Sequence, residues 1–106
     1  MLQLLSEPAA DRAGVRLLLW RDDLNHPELP GNKWRKLKYN LQEAQRQGHG
    51  TLLTFGGAYS NHLAAVAAAG RLTGLRTVGV VRGEELAARP LNPTLAQART
   101  DGMQLH

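Results

Sequence analysis

The alternation of short apolar runs with helical segments in the second half of the chain most constrains its fold. Apolar runs begin at Thr51, Thr77 and Met103, at even intervals, and each is short enough to be a strand. The segments between them have helical patterns. Strands that alternate with helices are typical of βαβ units, whose right-handed crossovers make the strands parallel. We therefore predict an α/β fold, with a parallel sheet and flanking helices, over residues 51–106.

Local signals set the bounds of the two helices between these strands. Residues 60–73 are rich in alanine, and Gly74 follows them as a residue that ends helices well. The pair Asn92-Pro93 combines a helix N-cap with a proline at the first helical position. The second of these helices is predicted to run to about Gly102.

A third, amphipathic helix is predicted upstream, over residues 33–47. Asn32 is predicted to be its N-cap, and Gly48 is a favourable residue just past its end. Its apolar residues recur at spacings of three and four, which is the pattern of a helix with one buried face. These residues are Trp34, Leu37, Leu41 and Ala44.

The first 30 residues are less regular. Residues 1–14 give no clear prediction, whereas Val15–Trp20 is mostly apolar and is predicted to be a largely buried strand. Leu29-Pro30-Gly31 is typical of a turn. The start of the chain has neither the basic segment nor the long apolar segment of a signal peptide, so a cytoplasmic location is expected.

Composition narrows the classes of function. The chain has 106 residues, of which 42% are hydrophobic and 21% charged, as in an ordinary globular domain. It contains no cysteine, which excludes disulfides and thiol chemistry. No apolar run approaches the ~20 residues of a membrane helix. The net charge of +4 indicates either a nucleic-acid partner or a site for an anionic cofactor or substrate.

A cluster of lysines at the start of the third helix is the first candidate site. On an ideal helix the centre of the apolar face lies about 60° from Lys33, 80° from Lys38 and 120° from Lys36. Lys33 is thus the most inward of these lysines. A desolvated lysine is a usable nucleophile towards a carbonyl group. The alternative is that Lys33 simply begins a surface helix, as most lysines do.

The turn after the first predicted strand of the sheet is the second candidate site. Gly56 and Gly57 permit close backbone approach, and the helix that starts near Ser60 offers free N–H groups to an anion. Ser60 and Asn61 could hydrogen-bond such a ligand, and His62 could line the same pocket. The alternatives are an ordinary turn in which Ser60 caps the helix, and a His62 that faces solvent.

Two other functions are weighed against these sites. The basic and aromatic segment Lys33–Tyr39 is also consistent with a module that binds nucleic acid or another anion without catalysis. The argument against nucleic-acid binding is that Trp34 belongs to the apolar face of the helix. It should therefore be buried and not free to stack on bases. The four histidines do not share the spacing of metal ligands, so no metal site is expected.

The two candidate segments, taken together, carry a resemblance to a known family. Gly31 to Leu37 reads GNKWRKL, and Gly56 to His62 reads GGAYSNH. With the preceding segment Arg21-Asp22-Asp23-Leu24, in this order and separation, they resemble 1-aminocyclopropane-1-carboxylate (ACC) deaminases and D-cysteine desulfhydrases. The likeness extends from about Val15 to His106.

The resemblance implies a cofactor and roles for particular residues. Members of this family use pyridoxal 5′-phosphate (PLP), and the matching lysine, which is Lys33 here, forms the Schiff base with it. Asn61 would contact the ring oxygen, and His62 would also lie at the cofactor. Ser60 would contact the substrate carboxylate or assist proton transfer. The implied reaction converts a small amino acid of the ACC or D-cysteine type to ammonia and a keto acid.

The resemblance also implies how the chain is organised. Residues 1–50 would belong to the larger PLP-binding domain and residues 51–106 to the smaller domain of a fold type II, tryptophan-synthase-β-like enzyme. The family's phosphate-binding loop and the partner of the ring nitrogen would lie outside this segment, so an incomplete enzyme is expected, homo-oligomeric when full length and without nucleic acid or membrane. Tyr59 stands where ACC deaminases have glutamine, and His62 is closer to the desulfhydrase pattern.

Overall fold

The computed structural model describes residues 1–29, 31–83 and 88–106. Pro30 of the predicted turn therefore lies outside the described residues. Four helices and five strands are described, besides a short 3₁₀ turn at Asp22–Leu24. In chain order they are β1 (Leu2–Leu5), α1 (Pro8–Arg12), β2 (Leu17–Trp20), α2 (Asn32–Arg46), β3 (Thr51–Gly56), α3 (Asn61–Thr73), β4 (Arg76–Val81), α4 (Pro93–Thr100) and β5 (Met103–Leu105).

The predicted parallel sheet is confirmed. Its strand order is β3-β4-β5, and both pairings are parallel. Thr51 pairs with Arg76 at the start of the sheet, and Gly56 pairs with Val81 at its carboxyl end. Since α3 and α4 each connect neighbouring strands, right-handed crossovers place both helices on one face of the sheet.

Most of the core lies between this sheet and its two helices, and Leu29, Leu37 and Leu41 of the α2 region extend it. Leu63 and Ala67 of α3 and Ala98 of α4 have no exposed surface, and Met103 of β5 is 3% exposed. Gly79 of β4 lets the layers approach closely, because a Cβ atom there would lie 2.6 Å from the Met103 sulfur. Small residues on α3 and on the strand thus set the spacing between the helices and the sheet.

The helix that carries the lysines begins one residue earlier than predicted. Asn32 is its first residue and not its N-cap, so that prediction was wrong; the cap is Gly31, which makes no side-chain capping bond. Gly31 has a φ of 70°, a conformation that favours glycine. At the other end of the helix, Gly48 has a φ of 75°, as expected of a residue just past a helix.

The first 20 residues form an antiparallel hairpin that the sequence did not fully predict. Leu2 pairs with Trp20 and Leu5 with Leu17, and α1 occupies the connection. The strand expected at Val15–Trp20 exists as β2, but all four of its residues are exposed. The prediction of burial was wrong because an apolar run is buried only where another layer packs on it.

The strand β3 is parallel as predicted but buried on one face only. Its residues alternate between exposed and half-buried. Leu53 and Phe55, which point away from the helices, are 60% and 67% exposed.

The chain is more extended than a compact domain. The radius of gyration is 18.0 Å, against the ~13 Å expected of a compact chain of this length. The chain therefore exposes much apolar surface on the open face of its sheet and on the hairpin.

Candidate functional site

A cleft of about 580 Å³ opens between the entry into α2 and one face of α3 and α4. We call it the α2–α3 cleft. Its volume falls within the ~300–1,000 Å³ of typical small-molecule sites. Residues from the α2 entry, from one face of α3 and from α4 line it: Glu28, Gly31, Asn32, Lys33, Asn61, Ala64, Ala65, Ala68, Arg71, Gln97 and Asp101. The structure thus brings Lys33 and Asn61, from the two predicted sites, into one cleft.

Lys33 is the lysine at this cleft. It is half-buried, as is Lys38, whereas Lys36 is exposed. The helical-wheel expectation is therefore confirmed in that Lys33 and Lys38 are the more inward pair. The Lys38 ammonium lies 5.6 Å from the centre of the Tyr39 ring, away from the cleft. Among the described lysines, Lys33 alone lines the α2–α3 cleft.

Asp22 fixes the entry into α2. Its backbone oxygen accepts a hydrogen bond from the Gly31 N–H at 3.0 Å. Its carboxylate accepts from Arg35 at 2.9 Å and from the Trp20 indole N–H at 2.5 Å. The hydrogen bonds from Arg35 lower the pKa of Asp22, against a smaller opposing effect of burial. The segment Arg21–Leu24, which the sequence offers only as part of a resemblance, thus positions the helix that carries Lys33.

The turn between β3 and α3 has little freedom. A Cβ atom at Gly56 would lie 2.9 Å from both Ser60 Oγ and Leu63 Cγ, so glycine is required for this packing. Ser60 is the N-cap of α3, and its Oγ accepts a hydrogen bond from the Leu63 N–H at 3.4 Å. The capping alternative for Ser60 is therefore what the structure shows. Ser60 is not among the residues that line the α2–α3 cleft, whereas Asn61 is.

His62 lies beside the cleft without lining it. Its Nε2 is 2.9 Å from Thr54 Oγ1 of β3, and its side chain is half-buried. It does not simply face solvent. Burial lowers the pKa of His62, and the charges of Lys33 and Lys36 lower it further. These effects favour the neutral imidazole next to a positively charged helix start.

Three charged residues at the far end of the cleft were not predicted. Arg71 of α3 forms ion pairs with Glu28 and, at 3.0 Å, with Asp101. These contacts join the α2 entry, α3 and α4. The signal that could have found Arg71 is its helical spacing, because it follows Asn61, Ala64 and Ala68 at intervals of three or four on one face of α3.

The basic and aromatic segment of α2 is partly enclosed. Trp34 is half-buried against the core, and its ring stacks on that of His26 with 5.0 Å between centroids. The expectation that Trp34 packs inward is supported, although part of its surface stays exposed. Its ring is already occupied by a stacking partner within the chain.

Metal clusters and membrane-spanning helices are absent from the part of the chain that the structure describes. Residues 1–29, 31–83 and 88–106 contain no cluster of three or more His, Asp or Glu side chains arranged to hold a metal ion. None of the helices described is both long and apolar enough to cross a membrane.

Two curated relatives align with much of the chain. "Bifunctional D-cysteine desulfhydrase/1-aminocyclopropane-1-carboxylate deaminase, mitochondrial" of Arabidopsis thaliana is 40% identical over 75 residues, which is 71% of this chain and 19% of that protein. "D-cysteine desulfhydrase" of Yersinia pestis (strain Pestoides F) is 34% identical over 96 residues, which is 91% of this chain and 27% of that protein. No protein-family model matches the chain.

A solved structure agrees with these relatives. The crystal structure of an ACC deaminase homologue superposes on the whole of this chain with a TM-score of 0.77 and 30% sequence identity. The chain covers 31% of that structure. It thus spans at most about a third of the length of each of these three proteins.

Proposed function

The chain belongs to the family of ACC deaminases and D-cysteine desulfhydrases, and from this premise we propose that it forms the lysine-bearing part of a PLP-dependent deaminase or desulfhydrase. The substrate would be a small amino acid of the ACC or D-cysteine type, and the products ammonia and a keto acid. The observation that carries the proposal is the convergence of Lys33 and Asn61 on the α2–α3 cleft.

The residues of the cleft fit one side of PLP. Lys33 offers a half-buried primary amine for the aldehyde carbon, and Asn61 offers an amide for the ring oxygen. Ala64, Ala65 and Ala68 also line the cleft, and their apolar surface suits a flat aromatic ring. When bound, PLP would supply an electron sink for charge that develops on the substrate. The phosphate would be held by the loop that the family resemblance assigns to a part outside this segment.

The remaining candidates take supporting roles in the proposal. Ser60, next to Asn61 at the start of α3, would meet the substrate carboxylate or pass a proton. Its hydroxyl caps the helix through a long bond of 3.4 Å, which a ligand could replace at little cost. His62 would stay neutral and would hold Thr54 on the β3 side of the cofactor site.

The proposal extends to organisation and location. We assign residues 1–50 to the larger domain and 51–106 to the smaller domain of a fold type II enzyme, which would be homo-oligomeric when full length. We also place the protein in the cytoplasm, since a cysteine-free chain suits a reducing compartment. The exposed leucines of β2 and the open face of β3 support packing against further polypeptide.

The lysine assignment is tested by reductive labelling. Residues 1–106 are incubated with PLP, treated with borohydride and mapped as peptides. We expect the pyridoxyl label on Lys33, because this lysine lines the cleft. Lys33→Arg should abolish the selective label, and Lys36→Arg is the matched control that should keep it. A label found mainly on Lys36 or Lys38 would contradict the assignment.

Catalysis by the isolated chain should be weak. Residues 1–106 with PLP are assayed for ammonia and keto-acid release from ACC and from D-cysteine. We expect rates near those of free PLP and well below the roughly 1 s⁻¹ at the low end of typical enzymes, because the family resemblance assigns the phosphate-binding loop to a part outside residues 1–106. Turnover at an ordinary enzymatic rate would show that residues 1–106 suffice for catalysis and would contradict this prediction.

A further inference from the structure

One side chain from a distant part of the chain holds the turn between β3 and α3. Asn92 Nδ2 donates a hydrogen bond to the Ala58 carbonyl oxygen at 2.7 Å, across 34 residues of sequence. Ala58 directly precedes the Tyr59-Ser60-Asn61 segment. Asn61, which lines the α2–α3 cleft, lies three residues after Ala58.

The other half of the same amide caps a helix. Asn92 Oδ1 accepts a hydrogen bond from the Leu95 N–H at 2.9 Å, as the N-cap of α4. Because one partner is a donor and the other an acceptor, the two bonds together fix the orientation of the amide. The helix is itself anchored in the core, with Leu95 5% exposed and Ala98 fully buried. The turn is thus tied to the core through Asn92.

The other hydrogen bonds of the turn act at its two ends. The Arg82 N–H donates to the Gly56 oxygen at 2.9 Å, and the Ser60 N–H donates to the Gly57 oxygen at 3.1 Å. The first extends the sheet, and the second closes the turn on itself. Among the described contacts of this turn, the bond from Asn92 is the one that a side chain of another element makes to its backbone.

We propose that Asn92 is a positioning residue, which holds the β3–α3 turn so that Asn61 faces the same cleft as Lys33. The inference rests on the proposed function for the use of that cleft. The effect of Asn92 on the turn can be tested without any cofactor. The positioning role and the proposed function can therefore fail separately.

Three substitutions separate capping from positioning. Asn92→Asp keeps a good N-cap acceptor for α4 but has no N–H to donate to Ala58. Asn92→Ser also keeps a cap, is neutral, and is too short to reach the Ala58 carbonyl. Asn92→Ala loses both functions. If Asn92 positions the turn, Asn92→Asp and Asn92→Ser should loosen the turn as much as Asn92→Ala does. Both variants should keep the start of α4 as stable as in the original chain.

The geometry is read by NMR on isotope-labelled residues 1–106. In Asn92→Asp and Asn92→Ser we expect a changed ¹³C shift of the Ala58 carbonyl and roughly tenfold faster hydrogen exchange of the Ser60 amide. The Leu95 amide should stay protected in both and lose protection in Asn92→Ala. An unchanged Ala58 shift and Ser60 exchange in the Asp and Ser variants would overturn the proposal.

The consequence for the site is read by PLP labelling with borohydride. We expect Asn92→Asp and Asn92→Ser to lower the ratio of label on Lys33 to label on Lys36 by about tenfold, the effect of one lost hydrogen bond. A ratio that changes only in Asn92→Ala would overturn the proposal and leave Asn92 a helix cap. If the original chain itself shows no preference for Lys33, the proposed function fails, and the Ala58 shift still decides the positioning role.

Discussion

The parallel sheet of residues 51–106 and the hairpin of β1 and β2 are built from similarly apolar strands, yet only the sheet has a core. In the sheet, α3 and α4 cover one face, and residues such as Leu63 are fully buried. In the hairpin, every residue of both strands is exposed. Burial of a strand therefore depends on the layer that packs on it. In the sheet, the helices α3 and α4, which connect the strands, supply that layer.

Truncating one leucine in each region should have very different effects on stability. Leu63→Ala should lower the free energy of unfolding by about 2–5 kcal/mol, because it leaves a cavity in the core. Leu18→Ala, at a residue that is 55% exposed, should change it by less than about 0.5 kcal/mol. Urea unfolding of residues 1–106 followed by circular dichroism measures both. Equal losses would show that the hairpin is as well packed as the sheet.

A smaller effect is expected from adding a methyl group at the sheet's carboxyl end. Gly56→Ala should destabilise by about 1–3 kcal/mol, since the new Cβ would crowd Ser60 and Leu63. Gly50→Ala is the matched control, because nothing lies within 4 Å of a Cβ atom there. The same urea titration is used. A neutral Gly56→Ala would show that the turn can relax, and would weaken the case for a rigid site.

The pH dependence of stability should contain a contribution from His62. Its pKa in the folded chain lies below the ordinary 6.5, chiefly because of burial. The unfolded chain therefore takes up this proton first, so stability is present above pH 6.5 and is lost as the pH falls. His62→Gln should flatten the loss between pH 7 and 5, as measured by urea unfolding at several pH values. A slope that stays the same as in the original chain would contradict the assignment.

The carboxylate of Glu43 affects stability in a lower pH range than His62 does. Hydrogen bonds from Arg46 and Gln47 lower the pKa of Glu43 from 4.5 to about 2, so its contribution persists until the pH falls below 4.5. The contribution of His62 can therefore be measured above that range without interference from this carboxylate.

The smallest effect is expected at the contact between the hairpin and α2. Asp22→Asn removes the charge that pairs with Arg35 at 2.9 Å and keeps an oxygen that can accept from Trp20. Because both side chains of the ion pair are partly exposed, the loss of stability should be small and should shrink further at high salt. Unfolding measured at low and high salt checks this. A large loss that salt leaves unchanged would mean that Asp22 supports the α2 entry through packing.

Much of the fold could be predicted because its signals are local. Gly74 ends α3 in the left-handed conformation, and Asn92 with Pro93 begins α4, as the sequence indicated. The hairpin was harder, because residues 1–14 carry few such signals and β1 forms only by pairing with β2. Asn32 was mistaken for a cap because the entry into α2 is set by a backbone bond from Gly31 to Asp22.

The sequence alone was enough for the order of strands and helices over residues 51–106, for the parallel sheet and for the family, since periodicity, caps and motifs can be recognised in short segments. That Lys33 lines the cleft, and that Asn61 joins it there, became clear only from the packing of α2 against α3. The tertiary structure also decided that Arg71 links Glu28 to Asp101 and that Asn92 reaches Ala58. The physical reason is that these contacts join residues far apart in the chain, whose distances depend on how layers pack, and no local pattern encodes that packing.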